Sequence, residues 1–557
     1  MRSETLRQLQ SETYDLCVIG GGASGAGCAL DAQLRGLRTV LVEAGDFASC
    51  TSTASTKMAH GGIRYLQAAV ADRDLGQYRL VRHALRERAL ILQNAPYLAR
   101  TLQFLVPCFS RTDQLYYAAG LKMYDWIAGR NSLTPSRIVS RKQALGRIPA
   151  MKRAGLVGAV SYADGQFDDA RFAMALVNTL VRNGGRALNY ARVVGFDKAR
   201  DGRIESAAVG DRLSQRSFAV RARAFVNATG PFSDTVRRLA STNTEPRLSP
   251  SKGVHLLFPL DGVWQADSLL VPKTEDGRVV FAIPYQGRLL VGTTDDAAPP
   301  EAEMVVTRDE INYLLRQVNP YLDRPLSADR MVSGFAGVRP LVRCGGKSRD
   351  TKSLIRDDEV EVDPASGLIS ILGGKWTTYR LMAQKTIDRV QEQLGAPARE
   401  CVTAGHRLFG SQGYSAGYWR TMANVHGIPE ATAQHLAGKF GMASSEILQL
   451  AAGKPDLLLP LVEGAAPLRA EVVYAVRQEM AATLEDVLAR RIGLELYDWR
   501  LALEAAPATA ELMGSELGWS STEAKRSVRA YIARIGHFLE TAGLAAHSLE
   551  TTSSDLA

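Results

Sequence analysis

The sequence predicts an α/β protein that continues into an all-α region at its C-terminal end. Near the N-terminus, an apolar strand over residues 15–19, a glycine-rich turn, a helix to about Arg35 and a second strand over residues 39–43 form a βαβ unit. Short strand patterns return between residues 187 and 372. From about residue 400, apolar residues recur mainly at helical spacing.

Length and composition fit a globular protein of several domains. The chain has 557 residues, 46% hydrophobic and 22% charged, and at about 150 residues per domain it holds about three or four domain equivalents. This composition excludes a disordered, collagen-like or disulfide-scaffold protein. Lysine and arginine number 67 against 58 acidic residues, a net charge of +9. That excess favours an anionic substrate, an anionic membrane surface or nucleic acid without choosing among them, and fits a mildly basic soluble surface equally well.

Cysteine usage and the N-terminal residues indicate a cytosolic protein. None of the six cysteines forms a C-x-x-C pair, and Cys17 and Cys28 lie in apolar or glycine-rich stretches typical of small core residues. Residues 1–13 are polar and mixed in charge, so a secretory signal is not expected. The sequence holds no run of 18 apolar residues, which excludes a membrane-spanning helix and leaves attachment to a membrane surface open.

Periodicity and turn residues predict the remaining elements. Residues 76–128 are expected to be mostly helical. Strands are predicted near residues 187–190, 204–209, 218–222 and 225–228, in a hairpin over 279–284 and 289–293, and over 368–372 before a helix at about 377–394. A domain boundary is predicted near 396–405, and Ser520-x-x-Glu523 is a capping box that begins a helix in the region beyond it.

The strongest local motif is the glycine-rich turn of the βαβ unit. Gly20, Gly22 and Gly25 form G-x-G-x-x-G between strand and helix. These glycines permit a tight turn, close approach to a pyrophosphate and close packing of helix on strand, and the helix N-terminus offers N–H groups to the phosphates. Glu43 ends the second strand, where an acid bonds a ribose hydroxyl. The sequence therefore predicts a dinucleotide site.

Two further segments add weight to the dinucleotide site. The hydroxyl-rich run over residues 51–57 would cap a helix or bind the pyrophosphate, although such a run alone is more often a turn. Residues 225–230 end in small side chains that would let the backbone lie against the dinucleotide.

A longer run resembles the signature of the FAD-dependent glycerol-3-phosphate dehydrogenases. It is Ser55-Thr56-Lys57-Met58-Ala59-His60-Gly61-Gly62-Ile63-Arg64-Tyr65-Leu66. Segments in the family's order follow it: Asp168-Asp169-Ala170-Arg171, Asn227-Ala228-Thr229-Gly230-Pro231, Lys252-Gly253-Val254-His255, Gly292-Thr293-Thr294-Asp295, Gly337-Val338-Arg339-Pro340-Leu341 and Gly373-Gly374-Lys375-Trp376-Thr377-Thr378-Tyr379-Arg380. The resemblance covers about residues 14–395, and residues 471–477 and 486–491 are similar to the family's helical C-terminal domain.

This resemblance implies three domains. The first is an FAD-binding doubly wound (Rossmann-like) domain over residues 1–72, 160–245 and 336–396. The second is an antiparallel β-sheet substrate domain over residues 73–159 and 246–335. The third is an all-α C-terminal domain over residues 397–557, in which the EF-hand loop of the mitochondrial members is absent.

The resemblance also implies an activity, in which FAD oxidises sn-glycerol 3-phosphate to dihydroxyacetone phosphate. Hydride passes from C2 to flavin N5, and the electrons go on to a quinone. The expected partners are this substrate, a quinone, a membrane surface and a second copy in a homodimer, with no nucleic acid and no metal ion. The expected location is the cytoplasm, on the cytoplasmic face of the membrane.

Residue roles follow motif by motif. Arg64 and Arg339 are the phosphate ligands and Tyr65 adds a hydroxyl, since a guanidinium binds phosphate with two charge-assisted hydrogen bonds. His255 is the general base or hydroxyl orienter. Lys375 adds charge toward flavin or phosphate, and Thr378 belongs to the substrate site. The residues expected to bind the cofactor are Gly20, Gly22, Ala23, Ser24, Gly25, Glu43, Ser52, Ser55, Thr56, Gly61, Gly62, Ala228, Thr229, Gly230, Gly374, Lys375, Trp376 and Thr377.

Several alternatives stay open. A glycerol-3-phosphate oxidase would use the same substrate motifs and pass electrons to oxygen, and an amino-acid or 2-hydroxy-acid oxidase of the same fold would place its two arginines on a carboxylate. In a third alternative, the flavin domain is a redox sensor and the C-terminal region binds a partner. Locally, residues 293–295 either orient the substrate or form a structural turn, and Asp168 with Arg171 reads as a local ion pair or as part of a site.

Overall fold

Two β-sheets organise the chain in the computed structural model, which describes residues 2–62, 75–262, 264–343 and 358–544. The strands are β1 Thr13–Ile19, β2 Thr39–Val42, β3 Met58–Ala59, β4 Ala99–Cys108, β5 Arg137–Ser140, β6 Gly158–Phe167, β7 Arg186–Leu188, β8 Ala191–Lys198, β9 Ile204–Asp211, β10 Ser217–Asn227, β11 Ser251–Pro259, β12 Ser268–Val271, β13 Val280–Tyr285, β14 Arg288–Gly292, β15 Asp296–Ala297, β16 Ser333–Arg339, β17 Asp358–Val362 and β18 Ile369–Gly373.

The α-helices cover the sheets and make up most of the C-terminal part. They span Arg2–Ser11, Ala23–Leu34, Leu75–Asn94, Arg111–Ala128, Arg141–Arg147, Asp169–Arg182, Ser233–Ala240, Arg308–Val318, Tyr379–Leu394, Tyr418–His426, Glu430–Phe440, Ser444–Leu450, Arg469–Glu479, Leu494–Tyr497, Trp499–Leu517 and Ser521–Thr541. Asp486–Arg491 forms a π-helix.

The first sheet is doubly wound. Its order is β17-β18-β10-β1-β2-β7, in which only β17 runs antiparallel to its neighbour, and β8 and β9 form an antiparallel extension on β10. The predicted βαβ unit is confirmed. Leu16 and Val18 of β1 belong to one core cluster, and Cys17 and Ile19 belong to the other. Helices cover both faces, so the strand needs apolar residues at every position rather than at alternate ones.

The second sheet is mostly antiparallel, in the order β15-β11-β14-β13-β12-β4-β6-β3, with β16 paired to β11 and β5 to β6. The predicted hairpin is confirmed as β13 and β14. The helical prediction for residues 76–128 is wrong over Ala99–Cys108, which is strand β4. This strand lies inside the sheet and is almost wholly apolar in its second half, so its pattern does not separate strand from helix.

The predicted domain limits stay a prediction, and sheet membership differs from them at three strands. Strand β3 falls inside the predicted segment 1–72 but pairs with β6 of the second sheet. Residue 160 falls inside β6, all of whose pairing partners lie in the second sheet. Residue 336 falls inside β16, which pairs with β11 of the same sheet.

Beyond Gly395, which ends a helix in the left-handed conformation, the described chain is helical. The capping box is confirmed, because the Ser520 hydroxyl accepts a hydrogen bond from the Glu523 N–H and the Glu523 carboxylate accepts one from the Ser520 N–H. Apolar residues of helices Trp499–Leu517 and Ser521–Thr541 share one core cluster with β11 and β14. The helical part therefore packs directly on the second sheet.

Buried ion pairs also join the helical part to the first sheet. Asp46, shortly after β2, accepts hydrogen bonds from Arg490 at 2.6 Å and from Arg491 at 2.7 Å and 2.8 Å. Arg171 binds both oxygens of Glu479 at 2.8 Å. All of these side chains are buried.

The local ion pair between Asp168 and Arg171 is not formed. Asp168 caps helix Asp169–Arg182 by accepting the Arg171 backbone N–H, and its carboxylate binds Lys439 at 2.8 Å. Burial alone would raise the pKa of Asp168, but the Lys439 ammonium, the Arg171 N–H and the Lys57 charge together lower the pKa to about 2. The i, i+3 spacing indicated a local pair, whereas both side chains are buried and find partners far along the chain.

No helix in the described ranges is both long enough and apolar enough to cross a bilayer. The cysteines within those ranges, Cys17, Cys28, Cys50, Cys108 and Cys401, are all free thiols.

We expect Arg171→Met to lower the free energy of unfolding by about 3–5 kcal/mol, because it leaves the Glu479 carboxylate buried without its main partner. Thermal unfolding of the holoprotein measures the effect. The control is Arg182→Met on the same helix, which removes a partly exposed ion pair to Glu446. Equal shifts in the two variants would contradict the assignment of stability to the buried pair.

Candidate active site

The glycine-rich turn after β1 has room only for glycine. Gly20 has φ +106°, and a Cβ there would lie 2.6 Å from the Ala228 carbonyl oxygen. A Cβ on Gly25 would overlap the Gly20 carbonyl oxygen. Helix Ala23–Leu34 begins here, and glycine at position 22 offers no side-chain cap. The Ala23 N–H donates to the Ser52 hydroxyl instead, and the next N–H of the first turn is that of half-buried Ser24.

Glu43 lies beside this turn, at the end of β2. Its carboxylate accepts hydrogen bonds from the Gly21 N–H at 2.6 Å and the Gly45 N–H at 2.8 Å. Burial raises the pKa of Glu43, and the backbone N–H donors of Gly45 and Gly21 oppose that shift. The carboxylate is thus held at the position expected for a ribose ligand.

Three chain segments predicted to bind the cofactor meet at this end of the first sheet. The Ser52 hydroxyl accepts the Ala23 N–H at 2.9 Å. Trp376 donates its indole N–H to the Ser52 carbonyl at 2.7 Å. The Thr377 hydroxyl accepts the His60 backbone N–H at 3.2 Å. The segment over residues 51–62, which we call the signature loop, is therefore tied to both the glycine-rich turn and the 3₁₀ turn Trp376–Thr378.

The hydroxyls at positions 55 and 56 have partners within the protein. Ser55 donates to Asp169 at 2.7 Å, and Asp169 also binds the buried Lys57 ammonium at 2.6 Å. The Thr56 hydroxyl lies 2.9 Å from His255 Nε2. These contacts hold the signature loop against helix Asp169–Arg182 and against β11. Cofactor binding by Ser55 and Thr56 stays a prediction.

His255 is buried on β11. Its ring stacks on Phe335 of the paired strand β16, with ring centres 4.8 Å apart and planes 13° apart. Burial lowers the pKa of His255 well below its usual range, and the cations Arg339 and Lys57 lower it further. The imidazole is therefore neutral near pH 7 and able to accept a proton.

Arg339 lies on the same side of β11 as His255. Its guanidinium extends over Gly253, two residues before His255, where a Cβ would overlap it. It donates to the Thr293 hydroxyl at 2.8 Å and to the Asp295 carboxylate at 3.2 Å. Residues 293–295 thus form more than a turn, because they orient this guanidinium.

The remaining predicted residues fall at the strand ends around this region. Ala228, Thr229 and Gly230 follow β10, where the Thr229 hydroxyl donates to Asn227 at 2.7 Å. Gly374, with φ +90°, and half-buried Lys375 follow β18. Thr378 is buried, and its hydroxyl lies 3.3 Å from the Lys375 carbonyl.

Gly61 and Gly62 of the signature loop are the remaining two described residues that are predicted to bind the cofactor. The Gly61 N–H donates to the Tyr124 hydroxyl at 2.7 Å, and Gly62 has φ +82°. Arg64 and Tyr65 lie outside the described residues, so their phosphate-binding roles stay predictions.

Comparison with known proteins decides the family. The family described as FAD dependent oxidoreductase matches residues 15–380, and the one described as C-terminal domain of alpha-glycerophosphate oxidase matches residues 401–524. The Bos taurus protein named glycerol-3-phosphate dehydrogenase, mitochondrial, is 39% identical over 534 residues, which cover 94% of this chain and 73% of the bovine protein. The chain belongs to the FAD-dependent glycerol-3-phosphate dehydrogenase family.

Solved structures agree with this membership. The glycerol-3-phosphate dehydrogenase from Bacillus halodurans, complexed with FAD, is 30% identical with a TM-score of 0.78, and the match covers 97% of both chains. The L-alpha-glycerophosphate oxidase from Mycoplasma pneumoniae, with FAD bound, is 18% identical with a TM-score of 0.53 over 71% of this chain. The second likeness establishes a shared fold only.

The residues around the glycine-rich turn fit FAD, the cofactor of this family. The glycine turn has the close approach that a pyrophosphate needs, and a helix begins directly after it. Glu43 ends β2, where this fold is expected to place a ribose ligand. The signature loop joins this cradle to His255, since Ser52 contacts the glycine turn and Thr56 contacts the imidazole. Trp376 of the adjacent turn donates to the same loop.

Sequence reasoning missed two glycines that make room for the polar side chains of this dehydrogenase. Gly253 leaves space for the Arg339 guanidinium, and Gly292, paired with His255 across β11 and β14, leaves space for the imidazole. Both glycines stand in the quoted motifs. The available signal was their place in the sequence, with Gly253 two residues before His255 and Gly292 directly before Thr293, but the cross-strand register was needed to interpret it.

We expect Gly25→Ala to weaken FAD binding about tenfold or more, or about 1.4 kcal/mol, because the added methyl group overlaps the Gly20 carbonyl and displaces the helix end. The ratio of flavin absorbance to protein absorbance measures this after purification. The control is Gly195→Ala in β8, where the methyl group enters open space. A Gly25→Ala protein with full FAD content would contradict the role given to this turn.

Proposed function

We propose that this chain oxidises sn-glycerol 3-phosphate to dihydroxyacetone phosphate with FAD. The observation that carries the proposal is the placement of one cation and one neutral base on a single face of β11. Arg339 and His255 lie there side by side, and His255 contacts the signature loop through Thr56. A phosphate and a secondary alcohol on adjacent carbons of one small molecule match this pair.

Arg339 binds the substrate phosphate in this proposal. Its two terminal nitrogens are oriented by Thr293 and Asp295, so the guanidinium is ordered before substrate arrives. Lys375 supplies a second positive charge from the end of β18. On the strength of the sequence motif, the same proposal adds Arg64 and Tyr65 to the phosphate site.

His255 takes the proton of the C2 hydroxyl at Nε2 once the substrate hydroxyl has displaced the Thr56 hydroxyl, which lies 2.9 Å from that nitrogen in the free protein. Bound FAD supplies the acceptor for the hydride that leaves C2. Phe335 fixes the plane of the imidazole from one side, and the Thr56 hydroxyl fixes its rotation. Arrival of a phosphate dianion next to Arg339 offsets one of the two cations that depress the pKa of His255, which strengthens the base when substrate is bound.

The proposed electron acceptor is a quinone, reached at the cytoplasmic face of a membrane by a chain that acts as a homodimer. The names of the curated relatives support a dehydrogenase, since the bovine relative is called one. The match of residues 401–524 to the glycerophosphate oxidase C-terminal domain favours one second candidate, an oxidase that uses oxygen.

Anaerobic addition of sn-glycerol 3-phosphate to the purified protein tests the substrate. We expect the oxidised flavin absorbance to bleach in a single turnover, since no acceptor is present to reoxidise the flavin, and D-lactate and glycine, as carboxylate compounds, to leave it unchanged. A flavin band that the phosphate ester does not bleach would contradict the proposal, whereas bleaching by glycine would indicate an amino-acid oxidase.

The electron acceptor is tested on the protein whose flavin sn-glycerol 3-phosphate has reduced. Reoxidation of the reduced flavin by a short-chain ubiquinone analogue, much faster than by air-saturated buffer, is expected for the dehydrogenase. Fast reoxidation in air with stoichiometric hydrogen peroxide would establish the oxidase instead.

Alanine substitutions of Gly292 and Gly253 should have separable kinetic effects. We expect Gly292→Ala to slow flavin reduction about 100-fold, because it displaces the imidazole, and Gly253→Ala to raise KM about tenfold, because it displaces the phosphate-binding guanidinium. Stopped-flow reduction over a range of substrate concentrations separates the two. The Gly195→Ala protein should match wild type. The same change in both parameters for both variants would contradict the separate roles of His255 and Arg339.

A further inference from the structure

Lys57 is a buried cation of the signature loop that the proposed reaction does not use. Its side chain is 2% exposed, and its ammonium donates to the Asp169 carboxylate and to the Thr53 carbonyl oxygen, both at 2.6 Å. Replacing a buried ion pair by apolar residues of similar volume is often neutral or stabilising, so stability alone does not explain a buried lysine here. The surroundings of the ammonium therefore indicate a further role.

The Phe335 ring contacts both Lys57 and the proposed base. The Lys57 ammonium lies 4.9 Å from the centre of this ring, within the range in which a cation is attracted to an aromatic face. The His255 imidazole stacks on the same ring, with 4.8 Å between the ring centres. Phe335 and His255 are also paired directly across β16 and β11. The ammonium, the ring and the imidazole therefore form one cluster, which we call the base cluster.

The signature loop reaches the base cluster at two successive residues. The Thr56 hydroxyl contacts His255 itself, and the Lys57 ammonium contacts the ring on which the imidazole packs. Lys57 has φ +60°, a left-handed conformation that residues with a Cβ rarely adopt. A position that combines an unfavourable backbone conformation with a buried charge points to function rather than to packing.

The charges around the imidazole come from two elements. Burial is the main cause of the low pKa of His255, and the charges of Arg339, on β16, and of Lys57 lower it further. Each cation has a carboxylate partner, which is Asp295 at 3.2 Å for Arg339 and Asp169 for Lys57. The charged residues on the other strands beside β11 lie opposite other positions, with Arg288 opposite Pro259 and Asp296 opposite Lys252.

We propose that Lys57 is a positioning residue for the base, which holds the plane of the imidazole through Phe335 and disfavours the imidazolium by its charge. In the complex with substrate, the phosphate offsets the charge of Arg339, so Lys57 is the cation that still acts on His255. The imidazole accepts the C2 hydroxyl proton in a fixed orientation and releases it to solvent before the next turnover. This role rests on the proposed function, because it concerns the base of that reaction.

The pH dependence of flavin reduction in the holoenzyme carrying Lys57→Met with Asp169→Asn tests the proposal. The double change removes the cation together with its buried counter-charge, and asparagine keeps an acceptor for the Ser55 hydroxyl. Because loss of a nearby positive charge raises the pKa of an imidazole, the decline in rate towards acid pH should move upward by about half a pH unit or more at saturating sn-glycerol 3-phosphate. At pH 8, loss of the contact with Phe335 should slow reduction about three- to tenfold.

Two further variants separate this effect of charge from a structural one. Lys439→Met with Asp168→Asn removes the neighbouring buried ion pair, which is also a lysine with an aspartate, and should leave the pH profile as in wild type. Phe335→Leu removes the ring but keeps the Lys57 charge, so it should slow reduction without moving the acidic decline upward. If the Lys57 double variant lacks FAD, Lys57→Gln replaces it, since the amide still donates to Asp169, and the same upward shift is expected.

The proposal is overturned if the Lys57 variant has the acidic decline of wild type or its rate at pH 8, or if the decline moves equally in the Lys439 or the Phe335 variant. A wild-type flavin that sn-glycerol 3-phosphate does not reduce would refute the proposed function and this role with it. Normal reduction of wild type, with an unmoved decline in the Lys57 variant, would refute the role of Lys57 alone.

Discussion

The proposed chemistry depends on space that two glycines leave on the second sheet. Strands β11, β14 and β16 pair so that Gly253 lies beneath the Arg339 guanidinium and Gly292 lies against the His255 imidazole. A methyl group at either position would occupy the volume of a polar group that must be buried and oriented. The register of three strands therefore places one cation and one base on the same face, close to the loop that reaches the dinucleotide cradle.

Buried ion pairs connect the signature loop to the helical part of the protein. Asp169 holds the Lys57 ammonium and the Ser55 hydroxyl, so it fixes the signature loop beneath His255. The preceding residue, Asp168, binds Lys439 of the helical part. The N-terminus of one helix thereby connects the signature loop to the C-terminal region.

The sequence predicted the elements whose chemistry is local, and missed those that depend on tertiary context. The G-x-G-x-x-G turn, the capping box at Ser520 and the hairpin at β13 and β14 each follow from residues close together in the chain. Strand β4 was mistaken for helix because burial within a sheet removes its alternation. Asp168 was given a neighbour as partner because its true partner, Lys439, is 271 residues away. Apolar residues on helix Arg111–Ala128 look alike in sequence whether they face the core or the solvent.

The central claim is that a buried, neutral imidazole serves as the base, and the pH dependence of flavin reduction at saturating sn-glycerol 3-phosphate tests it most directly. Because burial and two cations depress the pKa of His255, the rate constant should stay level as pH falls from about 8 to the ordinary histidine value of 6.5, and decline only below it. The His255→Gln protein should be slow, without that decline. A rate that already falls with a midpoint above pH 7, or one with the same profile in His255→Gln, would contradict the account.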